Sequence, residues 1–336
     1  MVDMQCLMIL RMPGLRTGER NFLFKKFENE GIPGNFSKND IERIINRPLE
    51  GKPWKMESIR ILAERDFNTA KRLDIKMVTL SDTNYPPLLR EIDDPPVVLF
   101  CRGVLPDPEK PLVAMVGTRR PSSAAATAAY TMGRDFGSYG MPVVSGLALG
   151  IDACSHRGNT DAGAPAIAVL GSGLDQIYPA SNRPLAARII ENGGALLSEY
   201  PPEMGPRKWH FPARNRIISA MARGTIIVEA PVKSGALITA NCALEQGRDI
   251  WVTTAGTCSA RGAGTVKLAA DGAKVIDNAG EVLAEWGLSA VKNTFSGGKS
   301  EETQPEHLSD GSKQKNQTGN KLAASLARTL KIEMRD

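Results

Sequence analysis

Between Gly205 and Ser234 the sequence carries six basic residues, Arg207, Lys208, Arg214, Arg216, Arg223 and Lys233, against a single acid, Glu229. From Met1 to Pro95 the charges nearly cancel, so the basic excess is concentrated. Its densest part, Arg207-Lys208-Trp209-His210-Phe211-Pro212-Ala213-Arg214-Asn215-Arg216, interleaves cations with rings. Cations neutralise phosphates while ring faces stack on unpaired bases, each stacked base contributing roughly 1–3 kcal/mol. Asn215 could hydrogen-bond a base edge or hold its own loop. The plainer alternative is that Trp209 and Phe211 plug the core and the charges are solvated. One ring inside and one outside satisfies both.

A second group of residues is a series of glycine turns. They are Gly117-Thr118-Arg119-Arg120, Ser145-Gly146-Leu147-Ala148-Leu149-Gly150, Gly171-Ser172-Gly173, Glu229-Ala230-Pro231-Val232-Lys233-Ser234-Gly235 and Thr254-Ala255-Gly256. Glycine lets backbone N–H groups approach an anion closely, and a helix N-terminus adds unpaired donors and a positive dipole end. Ser234 is placed to cap a helix over 235–246, with the Lys233 charge beside it. One such turn needs no role beyond reversing the chain. Several on one edge suit a phosphodiester backbone better than a single mononucleotide. That chemistry requires Arg119, Arg216 and Lys233 to stand unpaired on one face; different faces or internal ion pairs would defeat it and the functional reading built on it.

Other chemistries are less well provided for. No GxxxxGK[ST] is present, and no GxGxxG with a following acid marks a dinucleotide site. Asp152 and His156, four apart, share a helix face and could form a catalytic or metal pair; a capping Asp and a packed His is the simpler assignment. Glu199 and Glu229 could pair as carboxylates or merely order their loops. Five scattered cysteines without CxxC spacing make a poor zinc site or disulfide framework and suggest a cytoplasmic protein. Asp3 and Arg11 interrupt the N-terminal apolar stretch, so no signal peptide is expected, and no uncharged run is long enough for a membrane span.

The elements that must position these residues follow from a repeating pattern between 112 and 277. Apolar β-rich runs at Leu112–Val116, Met141–Val144, Ala166–Leu170, Ala195–Leu197, Thr225–Val228, Ile250–Thr253 and Lys274–Ile276 alternate with helix-length segments at 121–139, 152–162, 181–192, 212–223, 234–246 and 264–271. Runs apolar on both faces predict parallel strands covered by helices on both sides, a doubly wound α/β sheet. The glycine turns then fall at the carboxyl ends of the strands, where such sheets bind ligands. Residues 1–75 are charged and helix-patterned, with periodic segments at 21–29, 39–46 and 57–73. Short strands are expected at Lys76–Leu80 and over 95–100. Ser296 to Asn320 is polar and is expected to be disordered, and Lys321 to Met334 has the spacing of a fraying helix.

The segments VAMVGTRR (113–120), VVSGLALGID (143–152), AIAVLGSGLDQIYPASN (166–182), LLSEYPP (196–202), HFPARNRIISAMA (210–222) and VEAPVKSGALITANCALEQGRD (228–249) resemble, in order, the DNA-processing protein A family, also called DprA or Smf. The resemblance runs over about 76–276. It implies an extended Rossmann-like domain (76–284) and a sterile-alpha-motif-like helical domain (1–75); many members also carry a C-terminal winged helix, and here the sequence departs, its mostly polar tail (285–336) giving no expectation of one. It also implies a cytoplasmic homodimer that binds single-stranded DNA, protects incoming strands in natural transformation and helps load the RecA recombinase, with no catalytic residue, metal or cofactor. Matched to the family's motifs, the DNA-binding candidates are Gly117, Thr118, Arg119, Ser145, Gly146, Gly171, Gly173, Phe211, Arg214, Asn215, Arg216, Lys233, Ser234 and Gly235; the basic–aromatic segment adds Lys208. Thr254-Ala255-Gly256 and Gly262-Ala263-Gly264-Thr265 depart from the family's usual residues and put that loop's contribution in doubt. Two rivals remain: a LOG-type nucleotide phosphoribohydrolase, whose paired-glycine loop is not matched at 232–239, and a scaffold that has lost DNA binding.

Overall fold

The computed structural model describes residues 4–288. The expectations for the tail beyond residue 288, including disorder, a fraying helix and the missing winged helix, lie outside the described residues. Four helices open the chain: α1 (Met4–Arg11), α2 (Thr17–Phe27), α3 (Lys38–Ile45) and α4 (Met56–Arg72). Then come β1 (Lys76–Thr79), α5 (Pro87–Arg90) and β2 (Val98–Gly103). The repeating region follows as β3 (Val113–Val116), α6 (Ser123–Ser138), β4 (Val143–Ser145), α7 (Ile151–Asp161), β5 (Ile167–Leu170), α8 (Arg183–Glu191), β6 (Ala195–Ser198), α9 (His210–Ala220), β7 (Gly224–Ile227), α10 (Gly235–Glu245), β8 (Asp249–Thr253), α11 (Thr254–Thr257), α12 (Ala263–Ala270), β9 (Lys274–Ile276) and α13 (Ala279–Glu285).

The strands form one sheet in the order β1-β2-β6-β5-β4-β3-β7-β8-β9. From β6 to β9 the pairings are parallel, while β2 joins β6 antiparallel and β1 joins β2 antiparallel. The doubly wound expectation therefore holds, with an antiparallel pair added at one edge. The chain winds outward from β3 to β6, and α9 then carries it back to β7 on the other side of β3.

Alternation along each central strand divides the core. Val113 and Met115 pack with buried residues of α6, α7 and α13, whereas Ala114 and Val116 pack with those of α9 and α10. Every residue of β3 is buried, which is why the sequence reads as an unbroken apolar run. Helix starts are set by side-chain caps: the Ser122 hydroxyl accepts from Ala125 N on α6, and the Ser234 hydroxyl accepts from Ala236 N on α10.

The helical N-terminus shares its core with the sheet. Leu7, Ile9, Leu23 and Ile59 belong to one buried apolar cluster with Val98 and Phe100 of β2, Leu170 of β5 and Leu196 of β6. Helix α1 was not foreseen. Its consecutive buried residues Cys6, Leu7, Met8 and Ile9 leave no polar face, so the helical period on which such an expectation depends is missing.

Candidate nucleic-acid interface

The carboxyl edge of the sheet holds a rigid turn between β4 and α7. The Asp152 carboxylate accepts from Gly146 N at 3.1 Å and from Ala148 N at 3.3 Å. The Asn182 amide donates to Leu147 O at 2.9 Å. Leu147 has φ 54° and Gly150 φ 80°. A side chain at Gly150 would also meet Thr118 O at 2.4 Å, so glycine is required there. A buried leucine in the left-handed region is held by its surroundings, as is common where a backbone is preorganised for binding.

Beside this turn lies a small open cleft. Gly146, Ala148 and Leu149 form one wall, Tyr178 and Pro179 another, and Phe211, Arg214 and Arg119 complete it. The Tyr178 and Phe211 rings are 5.5 Å apart and tilted by 44°. The Arg119 guanidinium lies 5.6 Å from the Phe211 centroid, is exposed and makes no ion pair among the described residues. Phe211 in turn rests on Gly171, where a Cβ would come within 2.9 Å of the ring. The two rings touch, so no base enters between them, but the open side of this apolar pair, with a cation beside it, can stack an unpaired base and hold its phosphate.

The remaining candidates separate into three groups. Lys208, Lys233 and Gly235 are exposed. Asn215 is half-buried and donates to Gly235 O at 3.1 Å, tying the α10 turn to α9. Ser234 caps α10. These line the same edge as Phe211, since Phe211 and Asn215 are one helical turn apart on α9. Gly117, Thr118 and Gly173 serve tight turns: Thr118 N donates to Glu229 O at 2.8 Å, Gly173 N donates to Met204 O at 2.7 Å, and a Cβ at Gly117 would collide with Ile151.

Ser145, Arg214 and Arg216 are corrected by the structure. Ser145 is fully buried and its hydroxyl donates to Met115 O at 2.6 Å. Arg214 is 4% exposed; its guanidinium donates to Gly146 O at 2.9 Å and to Val169 O. Burial pulls it down to about 10, with Asp152 acting in the opposite sense. It stays charged at neutral pH and braces the floor of the cleft. Arg216 pairs with Asp94 and Glu199, each at 2.8 Å. Although burial opposes its charge, these carboxylates hold it above the ordinary arginine range. Its charge is therefore matched inside, so the expected rim of Arg119, Arg216 and Lys233 fails as a unit, and a binding reading has to rest on the exposed cations and the cleft instead. Arg223 is at the start of β7, away from this edge, with its guanidinium 4.9 Å from the Trp286 ring centroid.

The acids have internal partners too. Glu229 is fully buried; it accepts from Ser122 N at 2.7 Å and from the Ser259 hydroxyl. It thus occupies the start of α6, the place where dinucleotide folds seat a pyrophosphate. His156 is buried in α7 and Asp152 serves the β4 turn. Among the described residues, no group of three or more His, Cys, Asp or Glu side chains could hold a metal ion, and no helix is long and apolar enough to cross a membrane. Residue types alone did not single out Leu149, Tyr178 or Pro179. They lie inside the segments that carried the resemblance, but a lone tyrosine or leucine has no pattern until the fold brings it opposite Phe211.

A family model described as DNA recombination-mediator protein A matches residues 76–287. The chain is 40% identical over 214 residues to the DNA processing protein DprA of Bacillus subtilis, covering 63% of this chain and 71% of that protein. It is 40% identical over 208 residues to DprA of Streptococcus pneumoniae, covering 62% and 73%. The X-ray structure of the S. pneumoniae protein superposes with TM-score 0.69 at 32% identity, covering 84% of this chain and 98% of that one. A Helicobacter pylori DprA structure, described as revealing a unique single-stranded DNA binding mode, superposes with TM-score 0.55 at 30% identity, covering 63% and 95%.

Proposed function

Because the chain belongs to the DNA recombination-mediator protein A family, we propose that it binds single-stranded DNA without transforming it. An unpaired base stacks against the Phe211–Tyr178 ring pair, and neighbouring phosphates lie on Arg119, Lys208 and Lys233. The observation that carries this reading is the Arg119 guanidinium, unpaired and exposed, standing 5.6 Å from the centroid of a ring that lines the cleft. The internal bonds of Glu199, Glu229 and Asp152 support a binding role over a hydrolytic one. In this reading the protein acts in the cytoplasm as a homodimer, shields incoming strands during natural transformation and helps the RecA recombinase to load. The similarity to DprA proteins supports that wider role, as does the single-strand binding described for the H. pylori relative.

Titration of labelled oligo-dT and of a matched duplex at several salt concentrations tests the proposal. Single strands are expected to bind more tightly, with log K falling linearly as log salt rises. Arg119→Glu should weaken all sequences alike, and Phe211→Ala should cost about 1–3 kcal/mol of binding. Equal affinity for the duplex, or affinity indifferent to salt, would remove the basis of the reading. For the wider role, recombinase filament formation on single strands should be accelerated by the unmodified protein and not by Arg119→Glu.

A further inference from the structure

Trp209 stands apart from the chain's other tryptophans. It is 64% exposed, whereas Trp251 and Trp286 are buried and Trp54 is partly covered. Its ring has no place in the core, yet the backbone beneath it is firmly held. His210, the next residue, is buried, stacks on Tyr200 with centroids 3.8 Å apart and hydrogen-bonds Gly171 O through Nδ1 at 3.2 Å. With His210 pointing inward, Trp209 and Phe211 flank it on either side of the α9 start, and the Trp209 ring meets His210 edge-on, centroids 5.9 Å apart. The Arg207 guanidinium lies 5.5 Å from the Trp209 centroid, and Lys208 is exposed alongside. Trp209 is not part of the cleft wall. Its Cα is nevertheless at most about 7 Å from that of Phe211, two residues along the chain.

We infer that Trp209 is a second stacking platform, taking a further base of the strand whose unpaired base stacks on Phe211. This rests on the proposed single-strand reading and extends it. An exposed, rigidly based ring flanked by cations is the arrangement on which bases of an unpaired strand stack. The ligand class is an oligonucleotide long enough to place bases on both rings. A strand held only at Phe211 would ignore Trp209.

The test uses the chain's own fluorescence and oligo-dT of increasing length. Binding is expected to quench tryptophan emission, and Trp209→Phe should abolish most of the quench while keeping affinity within about twofold, since a ring remains. Trp209→Ala should weaken binding about tenfold for strands that span both rings and leave the shortest strands unaffected. An exposed side chain makes both variants safe for folding, which an unchanged urea midpoint would verify. If Trp209→Ala binds every length as tightly as the unmodified protein while Phe211→Ala is defective, the second platform is refuted and the single-strand reading survives. If neither variant changes binding, the strand is held away from both rings, and the second platform is refuted together with the Phe211 contact. If Trp209→Ala changes the sedimentation mass and not the affinity, the ring is a protein contact and the inference is overturned.

Discussion

Arg214→Met is expected to destabilise the folded chain by about 1–3 kcal/mol, the usual cost of leaving buried polar groups without their hydrogen-bond donor. Arg214 supplies the positive charge facing the Asp152 carboxylate, which is itself only 6% exposed. Burial already pushes Asp152 above the usual carboxylate range, and Arg214 is the largest influence holding it down. The same guanidinium donates to Gly146 O and Val169 O, so its loss strands two carbonyls as well. Methionine fills most of the volume and none of the bonds. The readout is a urea midpoint that falls with the slope unchanged. DNA binding should be lost in parallel, because the turn carrying Gly146 to Leu149 no longer has its brace. Arg214→Lys should recover only part of the stability, since an ammonium cannot reproduce the planar fork. A second substitution, Asp152→Asn, should be less damaging in the Arg214→Met background than alone. A midpoint for Arg214→Met indistinguishable from that of the unmodified protein would show that the buried guanidinium is not structural.

The second large effect is on acid stability and resides in His156. Burial pulls its imidazole down to about 3 in the folded chain, with the Arg214 charge acting in the same direction. In the unfolded chain it returns to about 6.5. Between those values the unfolded chain binds the proton and the folded chain does not, so stability rises with pH across the window. The contribution is complete above about pH 6.5 and is lost as pH falls toward 3, on the order of 4–5 kcal/mol at the limit. Asp152 works the other way: its raised value means that the folded chain takes up a proton first, which favours folding in acid. Replacing His156 by phenylalanine removes the titrating group at similar volume. The difference between the two stability curves should open steadily from pH 6.5 downward, in favour of the variant. Parallel curves would mean that His156 is hydrated or already charged in the fold.

Lys233 illustrates why the tertiary arrangement changes the functional picture. In the sequence it is one of six basic residues in a short stretch. In the fold, Arg214 and Arg216 turn inward, Arg223 stays at the start of β7, and Arg207, Lys208 and Lys233 remain exposed, joined by Arg119 from a distant segment. Helix α9 makes this division. Its residues His210, Arg214, Ile217 and Ile218 are buried while Phe211 and Asn215 stay at the surface. A cation four residues from His210 on the same face is therefore carried into the interior. It can remain there only because Asp152 and two carbonyls meet it.

The parallel strands and their covering helices were legible in the residues alone. Strands buried on both faces must be continuous apolar runs, and Ser234 marks where a helix begins. The position of the ligand edge followed from the same rhythm, because the glycine turns could only fall at the strands' carboxyl ends. The partners of each charge were not legible. Whether an arginine faces solvent or a carboxylate depends on residues far along the chain: Arg216 meets Asp94 from 122 positions away and Glu199 from 17. The same holds for Tyr178 opposite Phe211 and for α1 against β2, contacts between segments that share no local pattern. Local periodicity determines which elements form; only the packed chain determines which polar groups meet, because pairing energy in a buried site depends on three-dimensional distance and desolvation rather than on spacing in sequence.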